Sequence, residues 1–356
     1  MLQNSTTAII TKEAEKGKSY RILADRRKMT WENFLELHQN FVGESEISAV
    51  VGCSRWRSPA GIFALKKRLI KKEPASEACY WGNVMEPILR SEFSKRTGYP
   101  VKEIPYVLQA TDPRFSFLIA DIDGIVDLGE PGGMGSKSGS RYAVLEIKTA
   151  NSFAAQEDWK NGEPGFIPTD YYLQIQLYLY ITNLESAFIA VLLGGNHFVY
   201  HRIERDNETI TGMLLLARRW YEQYFLPNIM PPPVSVSSDC SLLGQIYSKS
   251  EPKEIILDST AGKIVQDYLD AAEAIKLAEK RKETAQAQLM ALMKENETAI
   301  IAGGHHRISW KSLETKRFST AKLKELNLLT PDQIDQCTSV TASRRFSISA
   351  IKSKAK

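Results

Sequence analysis

The sequence predicts an α/β protein in which helices flank a central mixed sheet, followed by a helical and basic C-terminal extension. Three observations carry this expectation. The hydrophobic period changes along the chain from helical spacing to strand alternation and back, in the order α, β, β, α, β, β, α. A chain of 356 residues, 43% of them hydrophobic, can bury a substantial core. Beyond Pro231–Pro233, which forbid helix and disfavour a central strand, the pattern becomes one long helix and then a basic segment.

Residues 1–28 show no sustained period and are read as a partly mobile N-terminal segment; the α/β domain is expected over 29–226. Its first helix is TWENFLELHQNF, capped by Thr30, with Trp31, Phe34, Leu35 and Phe41 as apolar positions. ISAVVGCSRWRSPAGIFALKKRLI reads as a short helix, a turn across Gly52 to Pro59, and a second helix with Ile62, Phe63, Leu65 and Leu69 inward. In NVMEPILRSEFSKRTG, Met85, Leu89 and Phe93 recur at helical spacing, Pro87 lies near the start and Gly98 is the stop.

The period then changes. FSFLIADIDGIVDLG alternates as a strand that turns at Gly124, and RYAVLEIKTA pairs back after the loop EPGGMGSKSGS to form a hairpin. That loop is not a phosphate loop, because Ser136 precedes Lys137 where glycine is needed and no helix follows. TDYYLQIQLYLYITN is apolar nearly all round and reads as a buried helix interrupted by Gln174 and Gln176. SAFIAVLLGGNHFVYHRIERD is two strands around a Gly-Gly-Asn turn, and NETITGMLLLARRWYEQYF is a helix capped by Asn207. Residues 227–258 form a Pro/Ser-rich linker, and 259–298 a long amphipathic helix. That helix is read as packing on its own core, with an intermolecular coiled coil as the alternative. Residues 299–356 form a basic segment with short strands, in which TKRFST and SRRFSI nearly repeat. Basic side chains alternate there with Trp310, Phe318 and Phe346, a pattern for phosphate contact and base stacking or for a plain surface hairpin.

Composition excludes several classes. No apolar run approaches the ~20 residues of a membrane span, and the N-terminus lacks the apolar core of a secretory signal. A soluble, cytoplasmic protein is therefore expected. Cys53, Cys79, Cys240 and Cys337 are scattered, so neither a disulfide framework nor a zinc or iron–sulfur site has support. The net charge of +4 is uneven: from His305 to Lys356, eleven Lys and Arg face four Asp and Glu, giving +7 and leaving −3 for the rest. A basic end behind an acidic-to-neutral body suits nucleic-acid contact.

Chemistry concentrates in AVLEIKTA. Glu146 and Lys148 project from one face of this strand and Leu145 and Ile147 from the other, because successive strand side chains alternate. A solubility pair is the bland reading. Against it stands ADIDGIVD, which puts Asp121 and Asp123 on one face of the neighbouring strand, so a carboxylate can sit across the hairpin from Glu146. Close carboxylates repel and are costly to bury unless a divalent cation joins them, and oxygen donors without His or Cys favour magnesium or manganese. A lysine beside such a site fits phosphodiester hydrolysis.

An Asp at a strand end followed by Glu-x-Lys on the next strand resembles the signature of the PD-(D/E)XK nuclease superfamily. With GNVMEPILRSEF upstream and YYLQIQLYLYIT downstream, the chain from about Thr30 to Phe225 resembles the YqaJ-type viral recombinases, the lambda exonuclease family. The resemblance implies a restriction-endonuclease-like core. By motif position it implies Glu86, Asp123 and Glu146 as ligands of Mg2+, with Mn2+ as a substitute and the Ile147 carbonyl as a further ligand. Lys148 would position the water and Gln174 would orient the site. The residues themselves leave alternatives: Glu86 as a helix cap three residues after Asn83, Asp121 in place of Asp123, and Gln174 as a partner for buried backbone.

GESEISAVVGCSRWRSPAGIF resembles the family element that approaches the DNA end, and Ser45 matches it. The family's 5′-phosphate arginine has no clear counterpart. Ungapped comparison places His38 near that position, and Arg55 or Arg57 is the candidate replacement, although Arg55 and Trp56 also suit a turn packed on the helix. The activity implied is a 5′-to-3′ exonuclease that resects linear double-stranded DNA to 3′ single strands for recombination by strand annealing. The implied partners are DNA ends, a phage-type single-strand annealing protein and further copies of the chain in a ring trimer. The implied setting is the cytoplasm of a bacterial host, as a phage or prophage protein. The alternatives are an endonuclease of the same superfamily, a RecB-like enzyme with an iron–sulfur cluster, which the dispersed cysteines disfavour, and a non-catalytic DNA-binding recombination assembly protein.

Overall fold

Runs of β-branched and aromatic residues in mid-chain build a five-stranded mixed sheet in a computed structural model that describes residues 19–71, 76–129, 140–234 and 238–315, then 319, 322, 326, 330–339 and 346–348. The chain divides into two compact units, Met1–Tyr247 and Ser248–Lys356. The first unit opens with β1 (Tyr20–Asp25), α1 (Trp31–Gln39), α2 (Ile47–Val50), α3 (Pro59–Lys66) and α4 (Glu77–Thr97). It continues with β2 (Val101–Lys102), β3 (Tyr106–Ala110), β4 (Ile119–Asp121), β5 (Gly124–Asp127), β6 (Tyr142–Ala150), α5 (Ser152–Glu157) and α6 (Thr169–Thr182). β7 (Ser186–Leu193), β8 (His197–Glu204), α7 (Asn207–Trp220) and α8 (Ser238–Ile246) complete it. The second unit holds α9 (Thr260–Met293), the antiparallel pair β9 (Thr298–Ile300) and β10 (Arg307–Ser309), and α10 (Pro331–Gln336).

The main sheet runs β2-β5-β6-β7-β8. Only β6 and β7 pair in parallel, so the chain must cross over between them, and α5 and α6 are that crossover. β7, SAFIAVLL, is buried along nearly its whole length, which is why it reads as a continuous apolar run. On β6 the alternation sorts the core: Leu145 and Ile147 pack with Leu89, Phe93 and Phe188 beneath α4, while Val144 packs on the opposite face with Ile175 and Leu177 of α6. Glu146 shares that second face and is buried, so the polar face of the strand is roofed by α6. A second sheet, β1-β3-β4, is antiparallel throughout.

The expected fold class, a central mixed sheet flanked by helices with a helical C-terminal region, is what the structure shows. Several elements differ in detail. FSFLIADIDGIVDLG is two strands in two sheets, β4 and β5, and Asp123 occupies the joint between them. β1 forms within the aperiodic stretch before residue 28, by pairing with β3; an irregularity between Ile22 and Ala24 blurs its alternation in the sequence. α4 is capped by Ser76, whose side chain accepts from Cys79 N, so Pro87 lies well inside the helix; Gly98 ends it in the left-handed region at φ 75°. Asp206, one residue before Asn207, caps α7. α3 stops at Lys66 and leaves Leu69 exposed, and α1 buries none of its residues. TKRFST and SRRFSI lie largely outside the described residues.

Candidate active site

Five segments converge on one cavity of about 780 Å³ in the first unit. β6 contributes Glu146 and Lys148, the β4–β5 joint Asp121 and Asp123, α4 Glu86, α6 Gln174 and Tyr178, and the turn before α2 Glu44 and Ser45. Strand period explains the first pair and the hairpin explains the second. Asp123 is held by the backbone: Ile147 N donates to its Oδ2 at 2.7 Å, so the carboxylate sits against the strand that carries Glu146.

Glu146 is the most constrained member. Its side chain is 2% exposed. Gln174 Nε2 donates to its Oε1 at 2.8 Å, and the Tyr178 hydroxyl donates to its Oε2 at 2.9 Å. Gln174 also donates to the Tyr178 oxygen at 2.8 Å, closing a three-residue network under α6. Lys148 Nζ forms an ion pair with the same Oε1. Burial by itself would push the Lys148 ammonium down, but Glu146 and Asp123 outweigh it and hold its pKa above the usual range. Lys148 is therefore a cation at any working pH.

The other acids are crowded and poorly solvated. Burial, then the charge of Asp121, pushes Glu44 up to about 8. Burial lifts Asp121 to about 6 even though Arg26 Nε lies 3.1 Å from its Oδ1. Asp123 stands well above the ordinary carboxylate range, first through burial and then through Glu146. Burial also raises Glu86, opposed by Arg90, with which it forms an ion pair one turn along the helix. Five carboxylates thus face one cavity and repel one another, with Arg26, Arg90 and Lys148 as their counter-charges.

The donor set is all oxygen, buried and anionic, which fits a hard divalent cation on chemical grounds. Among the described residues no three His, Cys, Asp or Glu side chains already stand as a coordination set. Arg90 holds Glu86, and Gln174, Tyr178 and Lys148 hold Glu146. A cation entering here competes with those partners.

A second cavity of about 390 Å³ adjoins the first and shares Ser45, Lys148 and Gln174 with it. His38 and Arg57 line it, along with Lys66 from α3, which pairs with Glu46 at 2.6 Å. Arg55 lies apart, paired with Asp158 and stacked 4.3 Å above the Trp56 ring. The structure thus gathers Glu86, Asp123, Glu146, Ile147, Lys148, Gln174 and Ser45 at the main cavity and His38 and Arg57 beside it, but not Arg55. Glu86 as a cap of Asn83 is excluded by position, since both lie inside α4.

Arg26, Glu44 and Tyr178 are the members that sequence reasoning missed. Tyr178 had a usable signal, four residues after Gln174 and so on the same face of a buried helix. Arg26 and Glu44 had none, because each lies in an aperiodic stretch.

Residues 33–185, which hold every one of these groups except Arg26, match the YqaJ-like viral recombinase domain. This segment resembles a YqaJ-like viral recombinase domain. The uncharacterized protein YqaJ of Bacillus subtilis (strain 168) is 29% identical over 339 residues, spanning 94% of this chain and 99% of that protein. Among solved structures, the alkaline exonuclease LHK-Exo of Laribacter hongkongensis is 21% identical with a TM-score of 0.41, covering 54% of this chain and 91% of that one. A phage-related exonuclease of Haemophilus somnus 129PT is 15% identical with a TM-score of 0.34, covering 53% and 97%. In this segment the acidic helix, the Asp, the Glu-x-Lys strand and the glutamine helix occur in that order around one cavity. Among the described residues no helix is long and apolar enough to cross a membrane.

Proposed function

We propose that this chain is a metal-dependent deoxyribonuclease, a 5′-to-3′ exonuclease that resects linear double-stranded DNA to leave 3′ single strands for recombination by strand annealing. The observation that carries the reading is the side-by-side placement of Glu146 and Lys148 on one face of β6, with Asp123 locked to the backbone between them. Glu86, Asp123, Glu146 and the Ile147 carbonyl are the residues that would hold Mg2+, or Mn2+ in its place. When bound, the cation acidifies a water and offsets charge growing on the phosphate.

The chain's own groups supply the rest. Lys148, fully charged, orients the attacking water and opposes the negative charge that develops on the phosphate oxygens. The water oxygen attacks phosphorus, the P–O3′ bond breaks, and a nucleotide carrying the 5′-phosphate leaves; no enzyme nucleophile is required. Gln174 and Tyr178 fix the rotamer of Glu146 so that its position does not depend on substrate. Ser45, Arg57 and His38, at the adjoining cavity, are placed to receive the DNA end. A single-strand annealing protein of phage type and further copies of this chain are the partners that this reading brings with it, in a bacterial cytoplasm.

The test is digestion of linear, 5′-phosphorylated duplex labelled at either end, beside a closed circle. Stepwise loss from 5′ ends with the circle intact supports the proposal. Cutting of the circle makes the protein an endonuclease, and binding without cleavage in Mg2+ or Mn2+ makes it a DNA-binding assembly protein.

A further inference from the structure

The long helix of the second unit carries an apolar seam left largely exposed among the described residues. Every residue of α9 from Gly262 to Leu289 is exposed, including Ile264, Tyr268 and Ile275, so the stripe expected to pack on its own core does not do so among the described residues. The seam is regular. Ile264, Ala271, Ala278, Ala285 and Leu292 form one row at seven-residue spacing, and Tyr268, Ile275, Lys282 and Leu289 form a second row between them. Two such rows define a 3.5-residue repeat, which winds helices around each other and is not what a helix lying on a globular core needs. Of the same chain, Phe346 meets Tyr268 edge-on at 5.6 Å and is itself exposed, so it touches one end of the seam.

We propose that α9 pairs with α9 of a second copy of this chain as an antiparallel two-stranded coiled coil. The sequence of the seam selects both the partner and the direction. The first row is alanine through its middle and the second is bulky. Antiparallel pairing sets one row against the other: Ile275 against Ala278, Tyr268 against Ala285, the Lys282 stem against Ala271, and Ile264 against Leu289. Through the middle of the seam each large side chain meets an alanine, and at its ends Ile264 and Leu289 meet as an apolar pair. Parallel pairing would set alanine on alanine and Lys282 on Lys282, opening voids and opposing like charges.

Charge points the same way. Asp267, Asp270 and Glu273 make the first half acidic, while Lys280, Arg281 and Lys282 make the second half basic. In the antiparallel register residues 267–273 of one copy, net −3, lie against 280–286 of the other, net +2 with Glu283 counted, so segments of opposite net charge meet. The contact is self-complementary, as a two-fold pair must be. This inference is independent of the nuclease reading.

Full-length Ala271→Cys and Lys282→Cys chains, mixed under mild oxidation, test it, with links assigned by mass spectrometry of proteolytic peptides. The native cysteines give different peptides and stay in place. The expected result is a dominant 271–282 link between chains that is lost when Ile275→Asp is added to both, with helix content by circular dichroism unchanged. A 271–271 link from Ala271→Cys alone would overturn the antiparallel assignment. Absence of any link at 271 or 282 in helical protein would overturn the pairing itself.

Discussion

Replacing Glu44 by Gln should flatten the pH dependence of stability of the first unit. Glu44 is buried, and its one described hydrogen bond is the Asp121 N–H that donates to its Oε2 at 3.2 Å. A glutamine carbonyl can accept the same bond, so the substitution removes the titration and keeps the shape. The folded-state pKa is about 8 against an ordinary 4.5, so the folded protein holds the proton more tightly than the unfolded chain. The stability this contributes is fully present below pH 4.5 and is lost as pH rises through about 8. Each pH unit in that window is worth ~1.4 kcal/mol, which sets a ceiling of about 5 kcal/mol on the loss by pH 9. Urea unfolding between pH 5 and 9, in chelator and followed by tryptophan fluorescence, measures it, since five of the six tryptophans lie before Tyr247. Asp121 and Asp123 titrate in both proteins, so the difference between the two curves belongs to Glu44 together with its repulsion of Asp121. The variant should be the more stable at pH 9 by several kcal/mol and about equal at pH 5. Parallel curves would show that Glu44 is charged and solvated at neutral pH, and the crowded-carboxylate account would fail with it.

Three further outcomes follow from the same geometry. Tyr178→Phe removes a hydrogen bond to a buried carboxylate and should cost ~2–3 kcal/mol in chemical denaturation; a loss under about 0.5 kcal/mol would mean that the hydroxyl is idle. Mg2+ at a hundred times its Kd should stabilise the wild type by ~2.7 kcal/mol in thermal or urea unfolding, and Asp123→Asn should lose most of that gain; equal stabilisation of both would place the cation elsewhere. Arg90→Gln removes the counter-charge of Glu86 and should tighten Mg2+ binding in a calorimetric titration; weaker binding would show that Arg90 organises the site instead of competing for it.

How much of this site was legible in the sequence depended on local period. Glu146 and Lys148 could be paired because a strand fixes which residues share a face, and Gln174 stood out as a polar break in an apolar helix. Asp123 was readable from its place before Gly124, although the joint between two sheets was not, since a strand and a strand break look alike over eight residues. Tyr178 shares a helix face with Gln174, four residues on, but in a helix already rich in tyrosine an aromatic reads as core, and its contact with Glu146 gives it a different meaning. Glu44 and Arg26 each lie in a single 3-10 turn, where no period marks a face. Arg55 went the other way, because nothing in the sequence announces that Asp158, a hundred residues on, will hold it. The exposed state of α9 was equally invisible, since an amphipathic stripe is the same whether it meets its own core or another chain.

The most direct test of the central claim is cleavage of linear duplex DNA under single-turnover conditions by the wild type and Lys148→Ala, with DNA binding measured on the same preparations. Removing a group that stabilises charge in the transition state should cost about 10²–10³ in rate, and chelator should stop the wild type, while both proteins bind DNA equally. Cleavage by Lys148→Ala at the wild-type rate would contradict the account.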